Sequence, residues 1–494
     1  MPRQRFLAFD LGAESGRAVL GTLDSGRLEL AEMHRFANPN GKMSGRLQWN
    51  LLAQWEELKT GLRKAASGPG ILDGIGVDTW GVDFGLVSPS GEVLTNPVMY
   101  RDGRTDGLMA KAFAKVSKDR IFQATGIQFM QINTLYQLLA MRMAKSSLLD
   151  SAQTLLFMPD LFHYLFSGVR KSEVSIASTA QMYNPRTKTW ANDILKELDL
   201  PVHLLPPIVQ AGTVLGDLLP EVAQDCGAGR VRIIAPASHD TASAVAAVPA
   251  EGEDWCYISS GTWSLMGVEL DEPVITNMSL AYNYTNEIGA AGKIRFLKNI
   301  MGMWLVQECR RQWQTQGYDH GYAELTSMAS RSVGLGTLID PDHEPFLAPG
   351  NMVGKIEKFC QQTKQRLPAT RGDYVRTCLD SLALTYRRTL SGLEDLTGRK
   401  INVIHIVGGG SQNELLNQMT ADACGRTVVA GPIEATAAGN IVVQAMAVGT
   451  LKSMAEVRTV IRESFHVKRY EPTDTQKWDR AYERYMEIVA KRQG

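Results

Sequence analysis

Ser238-His239-Asp240-Thr241 sets a hydroxyl, an imidazole, a carboxylate and a second hydroxyl on consecutive residues, following the apolar run 231–235. A carboxylate at a strand end can take the proton of a substrate hydroxyl while His239 and Thr241 fix the substrate. The same residues suit a helix start, with Asp240 capping Thr241-Ala242-Ser243-Ala244-Val245; the residues alone leave both readings open. A Ser–His–Asp relay is excluded, because sequence neighbours do not stack into that geometry. In Asp78-Thr79-Trp80-Gly81-Val82-Asp83-Phe84, Gly81 beside an aromatic and two carboxylates suits a polyol. A strand end with a buried Trp is the alternative.

Two glycine turns could meet phosphate. In Asp10-Leu11-Gly12-Ala13-Glu14-Ser15-Gly16-Arg17 the glycines permit a tight turn whose N–H groups can face an anion. Asp10 could orient a hydrated Mg²⁺, and Arg17 could neutralise phosphate charge. Ser259-Ser260-Gly261-Thr262 offers hydroxyls and amides at a second turn. Each has an ordinary hairpin as its alternative. Gly408-Gly409-Gly410 could let a purine or its phosphates approach the backbone, but Gly408-Gly409-Gly410-Ser411-Gln412-Asn413 lacks the last glycine of a dinucleotide fingerprint, and no Walker A sequence occurs. Asn299 and Gln307 read as polar residues in an apolar helix, either ligand contacts or satisfied buried amides.

The elements that must carry these groups repeat. Both glycine turns lie between two apolar strands, a hairpin pattern, and they stand about half the chain apart. Helices alternate with strands in both halves. Val375, Leu379, Leu382, Tyr386, Leu390 and Leu393 mark a helix over 373–396, with Gly398 as its cap. A strand over 401–407 enters the glycine loop, and 412–424 reads as helical, an order that puts a ligand at the strand's carboxyl end. The turn-rich stretch 235–253 is the expected hinge, dividing the chain into domains 1–247 and 248–494. The last helix, near 475–492, is polar enough for the surface and is expected to be able to pack back on the first domain.

The 494 residues suffice for two or more cores. With 44% hydrophobic and 21% charged residues, the composition is that of a globular protein. Zero net charge favours no nucleic-acid partner, although a local basic patch is compatible with it. No apolar stretch approaches a membrane span, and Asp10 ends the first apolar run too early for a signal peptide. The cysteines Cys226, Cys256, Cys309, Cys360, Cys378 and Cys424 are scattered without metal-ligand spacing and read as reduced thiols of a cytoplasmic enzyme.

Taken in order, these segments resemble the FGGY carbohydrate kinases over essentially the whole chain. The stretches that carry the resemblance include 78–84, Tyr100-Arg101-Asp102, Gly126-Ile127-Gln128-Phe129, Asn133-Thr134-Leu135-Tyr136-Gln137-Leu138, 237–245, 259–267, 297–304 and 405–410. The resemblance implies an α/β fold of two duplicated actin-like (ribonuclease H-like) domains with ATP and sugar in the cleft between them. It implies Mg²⁺-dependent phosphorylation of a ketose at its 1-hydroxyl, with L-rhamnulose expected, and a related ketose such as L-fuculose or L-xylulose, or a non-catalytic actin-like ATP-binding protein, as alternatives. By resemblance Asp240 matches the general base. Gly81, His239, Asp240, Thr241 and Asn299 match sugar contacts. Ala13, Glu14, Ser15, Gly16, Arg17, Thr262, Gln307 and Gly409 match the nucleotide site, and Asp10 the aspartate that orients hydrated metal. Some members carry disulfides that this chain cannot form: Thr420 stands where a partner of Cys424 would sit, and no cysteine lies near Ser67.

Overall fold

The computed structural model describes residues 3–490. The chain forms two compact units. Unit 1 takes the described residues up to Pro249, then Glu269–Phe296 and Glu434–Phe465; unit 2 takes Ala250–Val268, Leu297–Ile433 and the described residues from His466 on.

Unit 1 is built on a six-stranded sheet. Its strands are β1 (Gln4–Leu11), β2 (Ser15–Asp24), β3 (Arg27–Ala37), β4 (Gly74–Thr79), β5 (Thr213–Asp217) and β6 (Arg232–Ala235), in the order β3-β2-β1-β4-β6-β5. The hairpin expected at Gly12 is present: β1 and β2 pair antiparallel, closed by Gly12 N–H to Ser15 C=O at 2.9 Å. β1 pairs parallel with β4. From Arg5 on, every residue of β1 is buried, because helices cover both faces. On one face Phe9 stacks on Phe166 of the Met158–Ser167 helix at 5.6 Å. On the other lies the Ala435–Ala447 helix, close enough that a side chain on Gly76 would meet Asn440 Oδ1 at 2.6 Å.

Unit 2 repeats the plan. Its strands are β7 (Trp255–Ser260), β8 (Ser264–Leu270), β9 (Ile294–Ile300), β10 (Val403–Val407), β11 (Thr427–Ala430) and β12 (Lys468–Tyr470), in the order β9-β8-β7-β10-β11-β12, and a seventh strand of the same sheet, Thr285–Ile288, pairs on the outer side of β9. The ends of β8 and β9, from Glu269 and up to Phe296, belong to unit 1. β7 and β8 form the second hairpin, β10 and β11 add in parallel, and β12 is antiparallel. Hairpin, third strand, two parallel strands and an antiparallel edge recur in one spatial order, the duplicated fold that the two turns suggested. The edges differ, since β5 precedes β6 in the chain whereas β12 follows β11.

The long helix spans Arg371–Thr397 and ends at Gly398 with φ 67°, as its apolar stripe and glycine indicate. One expectation fails. Asn299 is not helical: it lies in β9, and the helix that carries Gln307 begins only at Trp304. The break is steric, because a side chain on Gly302 would strike Ser264 Oγ at 2.5 Å. An apolar run with Asn299 set in it has no decisive period, so strand and helix read alike. The last helix spans Thr475–Ala490, and its Tyr485 hydroxyl lies 2.9 Å from Thr385 Oγ1 of the long helix, inside unit 2. The six cysteines are free and buried. Among the described residues no helix is long and apolar enough to cross a membrane.

β6 reaches only as far as Ile75 of β4, which leaves the Val77 N–H without a strand partner on that side. His163 Nε2 accepts it at 3.0 Å. Burial drives the His163 pKa down to about 3, so the ring stays neutral in the fold. An unfolded chain takes up that proton below about pH 6.5, so this contribution to stability falls as pH falls. Between about pH 6.5 and 4, wild-type protein should lose thermal stability more steeply than His163→Leu. At neutral pH the variant should be destabilised by about 1–3 kcal/mol through its orphaned amide. Parallel pH–stability curves for the two proteins would overturn the assignment.

Candidate active site

The register of unit 1 brings the first site residues together. Asp10 pairs with Arg17 across β1/β2 and with Asp78 across β1/β4. Beyond the end of β4, Thr79 bridges His239, with its N–H on Ser238 C=O at 3.0 Å. Three strand ends therefore carry Asp10, Asp78 and the His239–Asp240 pair to one edge of the sheet.

Electrostatics make this edge unusual. Asp78 is fully buried. Burial, then the neighbouring Asp10, push its pKa well up; Asp240 adds to the rise and a hydrogen bond from Asn440 opposes it. That bond, Asn440 Nδ2 to Asp78 Oδ2, is 2.6 Å long. The pKa of Asp240 is raised as well, by burial foremost and by Asp10, against the pull of His239. Arg17 is held between Asp10 and Glu434. Burial alone would lower its pKa, but the two carboxylates outweigh burial and raise it. The arginine that could meet phosphate is thus neutralised by carboxylates of its own unit.

Asp240 is the first residue of the Asp240–Ala246 helix, and His239 occupies the cap position without making a side-chain cap bond. The capping role is therefore only partial: Asp240 Oδ1 accepts the N–H and the hydroxyl of Thr241 at 2.5 and 3.1 Å. His239 Nε2 faces the same oxygen at 3.3 Å. All three partners sit on Oδ1. The side chain keeps 31% of its exposure, which leaves Oδ2 as the reachable oxygen of a carboxyl with raised proton affinity. Glu173 fixes the backbone here, accepting Ser238 N–H at 3.0 Å, while Ser175 Oγ accepts His239 N–H at 3.1 Å.

Gly81 follows the buried Trp80, and a side chain there would press on Thr179 at 3.2 Å. Asp83 has a different role from the one its sequence suggested. It accepts Trp49 Nε1 at 2.7 Å, Trp80 Nε1 at 3.0 Å, Tyr100 N–H at 3.1 Å and Gln137 Nε2 at 3.2 Å. Burial pushes its pKa up to about 6. It secures the Trp49–Trp80 pair, whose rings lie 4.3 Å apart, and is wholly buried among these donors.

In unit 2 the glycine loop folds onto the second hairpin. Gly408 has φ 84°, and a side chain on Gly410 would lie 2.0 Å from Ser260 Oγ. Gly409 faces open space. Thr262 at the hairpin turn accepts Trp304 N–H at 3.1 Å, which starts the helix that carries Gln307. Gln307 Oε1 is buried without a hydrogen-bond partner among the described residues. Thr262, Gln307, Gly409 and Asn299 are thus all in unit 2, and the other expected site residues are in unit 1.

Sequence reasoning passed over Glu434, Asn440, Glu287 and Arg295. Asn440 carried a faint signal: Gly439 precedes it within a run of alanines, and a side chain on Gly439 would strike Ser243 C=O at 1.7 Å. That crossing of two helices places Asn440 against Asp78. Nothing near Arg295 in sequence marks it.

A divalent cation would find carboxylates here but no complete cage. Among the described residues no three His, Cys, Asp or Glu side chains are placed to hold a metal. Asp78 Oδ1 is buried without a hydrogen-bond partner beside Asp10. Such a donor set fits hydrated Mg²⁺, which keeps several waters and takes one or two carboxylates.

Comparisons with known proteins agree with this architecture. The N-terminal domain profile of the FGGY family of carbohydrate kinases matches residues 5–247, and the C-terminal domain profile matches 256–448. The chain is 43% identical to the rhamnulokinase of Bacteroides thetaiotaomicron, over 99% of this chain and 100% of that protein. It is 42% identical to the rhamnulokinase of Enterococcus faecalis, over 95% and 94%, and 38% identical to that of Bacillus subtilis, over 95% and 96%. Among solved structures, a ligand-bound xylulose kinase from Lactobacillus acidophilus superposes with TM-score 0.81 at 16% identity, over 98% and 97% of the chains. Plasmodium falciparum glycerol kinase with ADP gives 0.77 at 16%, over 99% and 98%.

The glycine loop yields a paired test. Gly410→Ala should cost about 1–3 kcal/mol of stability through overpacking against Ser260, whereas Gly409→Ala should be near neutral. Chemical denaturation measures both. Equal effects, or the reverse order, would show that the loop does not pack as described.

Proposed function

The chain belongs to the FGGY family of carbohydrate kinases, and from that premise we propose that it is an ATP-dependent kinase of L-rhamnulose. The reaction transfers the γ-phosphoryl group of ATP to the sugar's 1-hydroxyl, giving L-rhamnulose 1-phosphate and ADP, in L-rhamnose catabolism. Identity to rhamnulokinases along nearly the full chain supports the choice of sugar. The observation that carries the chemistry is Asp240: a carboxyl with raised proton affinity, one oxygen held by three partners and the other open.

In unit 1, Asp240 takes the proton of the 1-hydroxyl as the new P–O bond forms, and Gly81, His239 and Thr241 hold the sugar. Ala13, Glu14, Ser15, Gly16 and Arg17 serve the phosphates. In unit 2, Thr262, Gln307 and Gly409 serve the nucleotide, and Asn299 the sugar. The unpartnered Gln307 Oε1 and the open face of Gly409 support that assignment. Asp10, with the vacant Asp78 Oδ1 beside it, is the position for hydrated Mg²⁺. When bound, that ion neutralises phosphate charge and orients the transferring group. Arg17 is released toward phosphate only as its ion pairs with Asp10 and Glu434 loosen. The protein's contribution is positioning and charge stabilisation rather than covalent chemistry.

General-base assistance is worth about 10²–10⁴-fold. Asp240→Asn should therefore lose at least about two decades in turnover, with ATP binding little changed. ADP release from MgATP, followed with and without L-rhamnulose, measures this directly. Near-normal turnover in the variant would remove Asp240 from the role. A wild-type rate independent of sugar would remove the kinase reading, and preference for L-fuculose or L-xylulose would change the sugar.

A further inference from the structure

Arg295 is wholly buried in β9, on the part of that strand belonging to unit 1. Its Nε donates to Ile288 C=O at 3.1 Å, and its Nη2 lies 3.0 Å from Glu287 Oε2. The same Nη2 lies 2.9 Å from Nδ1 of His239. A guanidinium has donors and no acceptor. The contact is therefore donation by Arg295 into the Nδ1 lone pair. A neutral ring with that lone pair occupied must carry its proton on Nε2, and Nε2 faces Asp240 Oδ1 at 3.3 Å.

We infer that Arg295, held by Glu287, is a positioning residue that fixes His239 in its Nε2–H tautomer, so that the ring donates to Asp240 Oδ1 and leaves Oδ2 to take the substrate's proton. The inference rests on the general-base role of Asp240 above. Three donors then converge on one carboxylate oxygen: the His239 ring, the Thr241 amide and the Thr241 hydroxyl. In the opposite tautomer a ring lone pair would face the carboxylate lone pairs, and the Nδ1 hydrogen would meet those of the guanidinium. The repulsion would turn both His239 and Asp240. Glu287 Oε2 lies 3.3 Å from Nδ1, but in this arrangement it accepts from Arg295 and compensates the buried cation. The Nη1 nitrogen of Arg295 is buried with no hydrogen-bond partner among the described residues.

The test reads the tautomer itself. Full-length protein labelled with ¹⁵N-histidine is examined by NMR at neutral pH, and the His239 signals are assigned by their loss in His239→Gln. The expected spectrum has Nε2 protonated and Nδ1 bare; an Nδ1–H tautomer or a doubly protonated ring overturns the inference. Arg295→Met should mix the tautomers and lower kcat by on the order of 10–100-fold, by analogy with the partners that orient metal-ligating imidazoles, with the KM for ATP unchanged. A fall in kcat with the tautomer intact, or no fall, overturns it. If Arg295→Met does not fold, Glu287→Gln is read in the same way, and the wild-type spectrum decides in either case. Normal turnover of Asp240→Asn would remove the base reading and leave the tautomer result standing, so the two failures are distinguishable.

Discussion

Unit 1 is organised around like charge at the edge of a sheet. Asp10 and Asp78 are in register on neighbouring parallel strands, and both act on Asp240 or are acted on by it. Burial and neighbouring like charge raise the proton affinity of Asp78 and Asp240. Each carboxylate is accommodated by a particular partner: Asn440 for Asp78, Arg17 for Asp10, and His239 with Thr241 for Asp240. The partners come from distant parts of the chain. The constraint explains why a segment as late as Glu434–Phe465 returns to unit 1. It brings Glu434 to Arg17 and Asn440 to Asp78, and it seats a helix on the sheet where Gly76 makes room.

The duplicated topology serves different ends in the two units. Both hairpins place a turn at the end of the central strand, where backbone amides are available. In unit 1 the strand beside the hairpin carries a carboxylate, Asp78, one residue before its end at Thr79, with Trp80 and Gly81 just beyond. In unit 2 the corresponding strand, β10, ends in the Gly408 loop, and Ser260 packs into the space that the glycines leave. One plan therefore gives an acidic edge in one unit and a side-chain-free edge in the other. The first suits a metal and a proton acceptor; the second suits close approach of a flat, uncharged ring.

Much of this was legible in the residues, and the reasons for the misses are specific. The two hairpins, the Arg371–Thr397 helix with its Gly398 cap and the strand entering the glycine loop were all marked by period and punctuation. Asn299 was misplaced because a buried strand and a buried helix leave the same apolar run. Asp83 looked like a ligand for hydroxyls, but Trp49 and Trp80 consume it, and Trp49 stands more than thirty residues upstream. Arg295, Glu287 and Asn440 were invisible because local pattern does not report what a side chain meets after the chain has turned back.

The position of Glu287 and Arg295 follows from the same logic as that of Asn440. In the role of base proposed for it, Asp240 needs one oxygen occupied and one vacant, which requires donors from one side only. The short helix that begins at Asp240 supplies Thr241, but its own first turn cannot reach around to orient the ring of His239. An outside cation can, if it is itself buried and compensated. A surface arginine would lose much of its direction to solvent, whereas Arg295 sits in a strand with its Nε tied to Ile288 C=O and its charge matched by Glu287. The Glu287 carboxylate offsets the cost of burying the guanidinium, and the rigidity of the strand converts that pair into a fixed hydrogen-bond direction. The excursion Glu269–Phe296 thus gives unit 1 what its own βα elements do not provide: a donor aimed at the far side of the imidazole that touches Asp240.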